Sequence, residues 1–138
     1  MIIAIAGATG SVGRVLIAEL ERAGMDGSSL LPLATERSAG SRIDYGRDGI
    51  EVAAYDLDRV READLAFLSA GSGVGREAIP LILEAGVVAI DNSSPFRMYE
   101  HTLRFTVDSY NAISCLIPAA QEEEAVRALH RAFFESPA

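Results

Sequence analysis

Short, uninterrupted apolar runs alternate along the chain with amphipathic stretches of helical period. Residues 2–6 are wholly apolar and lead directly into Gly7-Ala8-Thr9-Gly10-Ser11-Val12-Gly13. From about residue 11 to 23, Val12, Leu16 and Leu20 recur on one helical face, and Gly24 closes the segment. Residues 30–34 predict a second strand. The polar stretch 35–48, with Gly40, Gly46 and Gly49 in or beside it, predicts a loop or a short irregular hairpin. A weaker strand is expected over 50–54, a short helix around 57–62 and a strong strand over 65–69. A helix from about 74 to 85 carries Ile79, Leu81, Ile82 and Leu83 as its apolar payload; Gly86 ends it, and a strand over 87–90 runs to Asp91. Strands that are apolar throughout, separated by helices, predict a parallel sheet covered on both faces.

The last third changes pattern. Residues 103–107 and 112–117 read as strands joined by the turn-rich Asp108-Ser109-Tyr110-Asn111, and a helix is expected over about 119–134. Its first turn carries Glu122-Glu123-Glu124, favourable at a positive helix end, and Ala125, Val126, Leu129 and Phe133 form its apolar stripe. This tail either adds strands to the main sheet or folds as a small α+β appendage.

The glycine-rich run is the first candidate for chemistry. Glycine permits a sharp turn and close approach of the backbone to phosphate oxygens, while the helix start supplies free N–H groups and a positive dipole end. The G-x-x-G-x-x-G spacing is looser than G-x-G-x-x-G, so the strand before it and the helix after it carry the argument. In open α/β sheets ligands sit beyond the carboxyl ends of the strands. Four loops rich in small polar residues are predicted to converge there: Thr9-Gly10-Ser11, Glu36-Arg37-Ser38, Ser69-Ala70-Gly71-Ser72 and Asp91-Asn92-Ser93-Ser94. In the second loop Glu36 suits a ribose 2′-hydroxyl, whereas Arg37 with Ser38 suits a 2′-phosphate, so NAD and NADP are both chemically served.

Composition narrows the classes. The 138 residues suffice for one core, and 49% apolar with 23% charged residues is a folded rather than a disordered balance. A net charge of −8 argues against nucleic acid or an anionic membrane as partner, and requires any phosphate site to be built locally. The single cysteine, Cys115, excludes an internal disulfide framework or a cysteine zinc cluster and fits a reducing cytoplasm; no metal site is expected. No apolar run approaches the ~18 residues of a membrane span, and the apolar start lacks a basic leader, so it is assigned to the first strand.

Gly7-Ala8-Thr9-Gly10-Ser11-Val12-Gly13-Arg14, Glu36-Arg37-Ser38-Ala39-Gly40, Ser69-Ala70-Gly71, and Glu84-Ala85-Gly86 leading into Asp91-Asn92-Ser93-Ser94-Pro95-Phe96-Arg97-Met98 resemble, in order and at similar spacing, the bacterial aspartate-semialdehyde dehydrogenase family. The resemblance covers about residues 1–98, and the last run is its most specific part. It implies an α/β, Rossmann-like, doubly wound parallel sheet, with residues 1–98 as an NADP-binding domain and 99–138 as a short α+β C-terminal appendage of a strand pair and a helix. It also implies that Gly7, Thr9, Gly10, Ser11, Val12 and Gly13 bind the cofactor, with Thr9 to Val12 lining the pyrophosphate. Arg37 and Ser38 would hold the 2′-phosphate, Gly71 and Ser72 would lie near the nicotinamide, and Arg97 would recognise the substrate phosphate. Ser41 departs from the family, which usually has lysine there, and this weakens the implied preference for NADP over NAD.

The family reaction is reductive dephosphorylation of an acyl phosphate. It needs a thiolate nucleophile, a histidine acid–base partner and NADPH. The family's cysteine sits in an Asn-Cys-Ser/Thr segment, which this chain lacks, and its histidine and dimer surface lie in a large second domain. Cys115, in Ile113-Ser114-Cys115-Leu116-Ile117-Pro118, reads as a buried strand thiol and is a weak catalytic candidate. His101 and His130 read as solvated or packing residues. Residues 104–135 resemble the C-terminal strand and helix of the aspartokinase ACT domain, an enzyme of the preceding step. These resemblances together imply a cytoplasmic protein of lysine, threonine and methionine biosynthesis that binds a nucleotide but is incomplete for catalysis alone. An acyl-phosphate or semialdehyde substrate is expected only with a catalytic partner, and self-association is left open. The alternative is a non-catalytic nucleotide-sensing or regulatory module of the same pathway.

Overall fold

The first apolar run folds as β1 (Ile3–Ala6), and all four of its residues are buried. A computed structural model describes residues 1–92, 102–108, 111–116 and 121–131. In chain order β1 is followed by α1 (Ser11–Arg22), β2 (Leu30–Ala34), a hairpin of β3 (Arg42–Ile43) and β4 (Ile50–Glu51), β5 (Ala53–Ala54), α2 (Leu57–Arg61), β6 (Leu65–Leu68), α3 (Ser72–Glu84) and β7 (Val88–Asp91). Beyond these lie β8 (Thr102–Asp108), β9 (Asn111–Leu116) and α4 (Glu122–His130).

The strands of the main sheet stand in the order β5-β2-β1-β6-β7-β9-β8. The first five are parallel, and β9 and β8 continue the sheet in antiparallel pairing. Of the two arrangements left open for the tail, its strand pair therefore extends the sheet. From β1 the chain moves outward to β2 and β5, then returns to the other side of β1 for β6 and β7. This reversal leaves a switch point between β1 and β6, where the connections depart to opposite sides and their loops part.

Side chains of β1 alternate between the two faces of the sheet. Ile3 and Ile5 face the layer of α1 with Ile17, while Ala4 and Ala6 face the layer of α2 and α3 with Val60, Ile79 and Ile82. The pairing register aligns Ala4, Ala66 and Ala89 in one row across β1, β6 and β7. All three belong to the core beneath α3, so a floor of methyl groups accepts the larger Ile79 and Ile82 of the helix. Each aliphatic side chain withdrawn from water in this way contributes about 1.5–3 kcal/mol.

Several elements differ in detail from the hydrophobic pattern. The buried stripe of α1 runs through Gly13 and Ile17, with Leu16 and Leu20 half-buried, and Val12 is 38% exposed. The helix is thus rotated from the Val12-Leu16-Leu20 face, because only a residue without a side chain fits against the β1 turn. The expected strand over 50–54 is two strands in different sheets. Val52, fully buried between them, donates its amide to the Ser41 carbonyl and accepts from the Gly40 amide, so the chain changes pairing partner there. In α3, Ile79 and Ile82 are buried as expected but Leu81 is 39% exposed. In α4, Ala125 is half-buried and Val126 is 46% exposed.

Replacing Ile17 by alanine removes a side chain with no exposed surface and is expected to cost about 2–4 kcal/mol. The same change at Leu81 should cost under about 1 kcal/mol, a difference that urea unfolding of the two variants measures directly.

Candidate functional site

The turn after β1 is built on two close approaches. Gly7 has φ +86° and its amide, like that of Ala8, donates to the Leu33 carbonyl at the end of β2, at 2.9 and 3.0 Å. The Gly10 amide then donates to the Gly7 carbonyl at 3.0 Å, and α1 begins at the next residue. A methyl group on Gly7 would lie 2.7 Å from the Ser69 carbonyl oxygen, and one on Gly13 would lie 2.3 Å from that of Gly7. Neither position has room for a side chain, so both present backbone alone.

Gly10 caps α1 without a side-chain hydrogen bond, and the first turn carries no acidic residue. The leading amides of a helix have no intrahelical acceptor, so those of Ser11, Val12 and Gly13 form a positive end suited to an anion. Arg14 folds back over this turn, its Nε donating to the Thr9 carbonyl at 3.0 Å. That interaction holds a guanidinium beside the loop.

The neighbouring loops converge on the same edge. After β2, Thr35 caps a single 3-10 turn, Glu36–Ser38, in which Arg37 is exposed and Ser38 half-buried. Ser41 Oγ donates to the Ser38 carbonyl at 2.6 Å and fixes the end of that turn. After β6, the Ser69 amide donates to Ala6 at 2.9 Å, Gly71 caps α3 and Ser72 is its first residue. After β7, the Asn92 amide donates to Leu68 at 3.0 Å. Asp91 is the one buried charged side chain among the described residues.

Between these loops lies a cleft of about 360 Å³. Gly7, Thr9 and Gly10 line it from β1, Ala34 and Thr35 from β2, and Ser69 and Ala70 from β6. Tyr55 and Val74 provide its larger apolar walls. Ser11, Val12 and Gly13 stand in the first turn of α1 at its margin, and Arg37 and Ser38 follow Thr35 out of it. Gly71 and Ser72 lie between the lining residues Ala70 and Val74. Arg97, His101 and the run from Ser93 to Met98 fall outside the described residues. Cys115 sits within β9, its backbone in register with Ile90 and Leu103, and His130 is the exposed last residue of α4.

Tyr55 is a cleft residue that the sequence pattern did not single out. It directly follows the two-residue β5, its amide donates to the Ala34 carbonyl at 2.7 Å, and its ring packs against the core under α3. Burial pushes its phenol above the ordinary tyrosine value, and the nearby carboxylates of Asp56 and Glu77 push it the same way. Its position at the carboxyl end of a strand was the available signal, obscured because β5 was merged with β4 in one expected strand. Among the described residues no helix is long and apolar enough to cross a membrane, and no group of three or more His, Cys, Asp or Glu could hold a metal ion.

A glycine-held helix start over a cleft at the switch point of a parallel sheet defines a dinucleotide-type site. The chain belongs to the family described as semialdehyde dehydrogenase, NAD binding domain, whose model matches residues 2–128. It is 40% identical over 108 residues to an aspartate-semialdehyde dehydrogenase of Legionella pneumophila, covering 76% of this chain and 30% of that protein. It is 39% identical over 98 residues to one of Campylobacter jejuni, covering 70% and 29%. The crystal structure of aspartate semialdehyde dehydrogenase II of Vibrio cholerae, complexed with ASA, superposes with a TM-score of 0.62 at 33% identity over 72% of this chain and 32% of that one. The chain therefore spans about a third of the length of these relatives.

Gly13→Ala is expected to destabilise by about 3 kcal/mol or more, since its methyl meets rigid backbone. Gly10→Ala, whose methyl would lie 3.2 Å from the Gly7 carbonyl, should cost less than half as much in the same urea titration. A raised folded-state phenol stabilises fully below the unfolded tyrosine pKa, and that stability is lost as pH rises through the folded value. Stability should therefore fall above about pH 10, and Tyr55→Phe should flatten that alkaline limb in melts across pH 9–11.

Proposed function

We propose that this chain is the NADP(H)-binding domain of an aspartate-semialdehyde dehydrogenase-like oxidoreductase of amino-acid biosynthesis, incomplete for catalysis on its own. The observation that carries this reading is the cleft over β1, lined by Gly7, Thr9 and Gly10, where Gly7 has no room for a side chain and Gly10 caps the start of α1. In this reading Thr9 and the amides of Ser11, Val12 and Gly13 bind the pyrophosphate, with Gly7 and Gly10 shaping the turn. Arg37 and Ser38, on the 3-10 turn leaving β2, take the 2′-phosphate through a guanidinium and a hydroxyl, which favours NADP over NAD. Gly71 and Ser72 border the nicotinamide half, and Arg97 takes the phosphate of an acyl-phosphate substrate.

When bound, the reduced cofactor supplies hydride for the family's reductive dephosphorylation of aspartyl phosphate. The residues of this chain bind and orient it and keep its phosphates against backbone donors. The nucleophilic thiolate and the histidine of that reaction belong, by the family resemblance, to a second domain. Cys115 sits within a strand paired on both sides, which suits a structural thiol. The reaction thus requires a catalytic partner region to bring the acyl phosphate to the cofactor. A nucleotide-sensing regulatory module is the second reading, raised by the sequence resemblance of residues 104–135 to the end of an aspartokinase ACT domain, although the semialdehyde dehydrogenase family model runs through residue 128 of that stretch. It predicts that the chain binds an intact aspartokinase or dehydrogenase subunit in a pull-down.

Titration of the purified chain with NADPH, followed by nicotinamide fluorescence, is expected to saturate, with NADH bound more weakly. Arg37→Ala should weaken NADPH by about tenfold or more and leave NADH nearly unchanged, as loss of one charge-assisted contact to the 2′-phosphate requires. Absence of binding by a well-folded chain overturns the reading.

A further inference from the structure

We propose that Tyr55 is the stacking wall for the purine base of the dinucleotide, and that it sets the affinity of the cleft for the adenosine half. The inference rests on the dinucleotide reading above and adds a residue that neither the glycine run nor the family resemblance marks. Strand order carries the first part of the argument. Outward from the phosphate loop on β1 the next strand tip is that of β2, and beyond it that of β5. A nucleotide with its pyrophosphate at Gly7–Gly10 and its ribose phosphate at Arg37–Ser38 extends its base toward that outer side. Tyr55, immediately after β5, is the aromatic residue lining the cleft there. The nicotinamide half runs the other way, toward Ser69 and Gly71 at the tip of β6.

Rigidity and charge carry the rest. The Tyr55 amide is tied to Ala34 at 2.7 Å and its ring packs on the core beneath α3, so little freedom is lost when a base meets it. Asp56 and Glu77 place negative charge near the phenol. Such surroundings repel phosphate and suit a neutral base, whereas Arg14 and Arg37 lie toward the phosphate positions. Ala34, at the end of β2, adds a small apolar wall to the same cleft. Aromatic side chains are the usual platform for a base because every base presents a π-face.

The test measures NADPH, 2′,5′-ADP and reduced nicotinamide mononucleotide against the full chain and its variants. Tyr55→Ala is expected to weaken NADPH and 2′,5′-ADP by the same factor, about tenfold, and to leave reduced nicotinamide mononucleotide unchanged. Tyr55→Phe, which keeps the ring, should stay within about twofold of the parent for all three. Equal affinity of the parent and Tyr55→Ala for 2′,5′-ADP overturns the inference while leaving the nucleotide site standing. Failure of the parent to bind NADPH overturns the nucleotide reading itself, and this inference with it. Should Tyr55→Ala not fold, Tyr55→Trp provides an independent readout, because the chain contains no other tryptophan. Its emission should be quenched saturably by 2′,5′-ADP and not by nicotinamide mononucleotide, and an emission indifferent to 2′,5′-ADP overturns the proposal.

Discussion

The seat of α1 on the β1 turn is the constraint on which the remaining geometry depends. A methyl group at Gly13 would lie 2.3 Å from the Gly7 carbonyl oxygen and 2.8 Å from the Ala8 Cα. Only a helix with no side chain at that point descends so far onto the turn. Descent has two consequences of opposite character. It drives Ile17, one turn later, fully into the core with Ile3 and Ile5. It also brings the first amides of the helix to the edge of the cleft, where they can meet an anion. One steric permission therefore links the stability of the α1 face to the placement of the helix start. Few substitutions could alter the second without disturbing the first.

The opposite face uses small residues differently. The row of Ala4, Ala66 and Ala89 lets α3 press Ile79 and Ile82 against three strands at once. The same face holds the ring of Tyr55, and Val74 of α3 reaches the cleft. The depth of that helix on its alanine floor thus sets how far the cleft opens above β6. The two layers meet at the switch point between β1 and β6, and the cleft occupies the place where neither layer covers the sheet.

Periodicity made most of this architecture legible. The wholly apolar runs at β1, β2 and β6 state that both faces are covered, and the glycines around residues 7–13 state where the backbone must approach closely. What periodicity hid was local. The stripe of α1 was read from Val12 because apolarity was counted, whereas the site of closest contact is occupied by Gly13, which has no apolar side chain to count. The stretch 50–54 looked like one strand because a change of pairing partner at Val52 leaves no mark on hydrophobicity. That error also concealed Tyr55, since a residue is recognised as cleft-lining only when the strand end before it is placed correctly. Arg37 and Ser38 were conspicuous for the opposite reason: charge and hydroxyl on a short polar turn have no packing role to obscure them.

Charge gives the site its sharpest contrast with the rest of the molecule. A chain with a net charge of −8 repels a dinucleotide phosphate at long range, so affinity must arise within a few ångströms. The two helices that border the cleft, α1 and α3, carry no acidic residue in their first turns, although the chain has 20 acidic residues to distribute. Arg14 and Arg37 are both exposed, but Arg14 is held over the loop by its bond to the Thr9 carbonyl while Arg37 stands on the turn after β2. An arginine already tied to the loop suits any pyrophosphate, and one without such a tie is ordered by a ligand only if that ligand repays the lost side-chain freedom. A 2′-phosphate can do so through two oxygens, while a 2′-hydroxyl cannot. In the proposed reading, discrimination between the two cofactors falls to Arg37 and general affinity to Arg14.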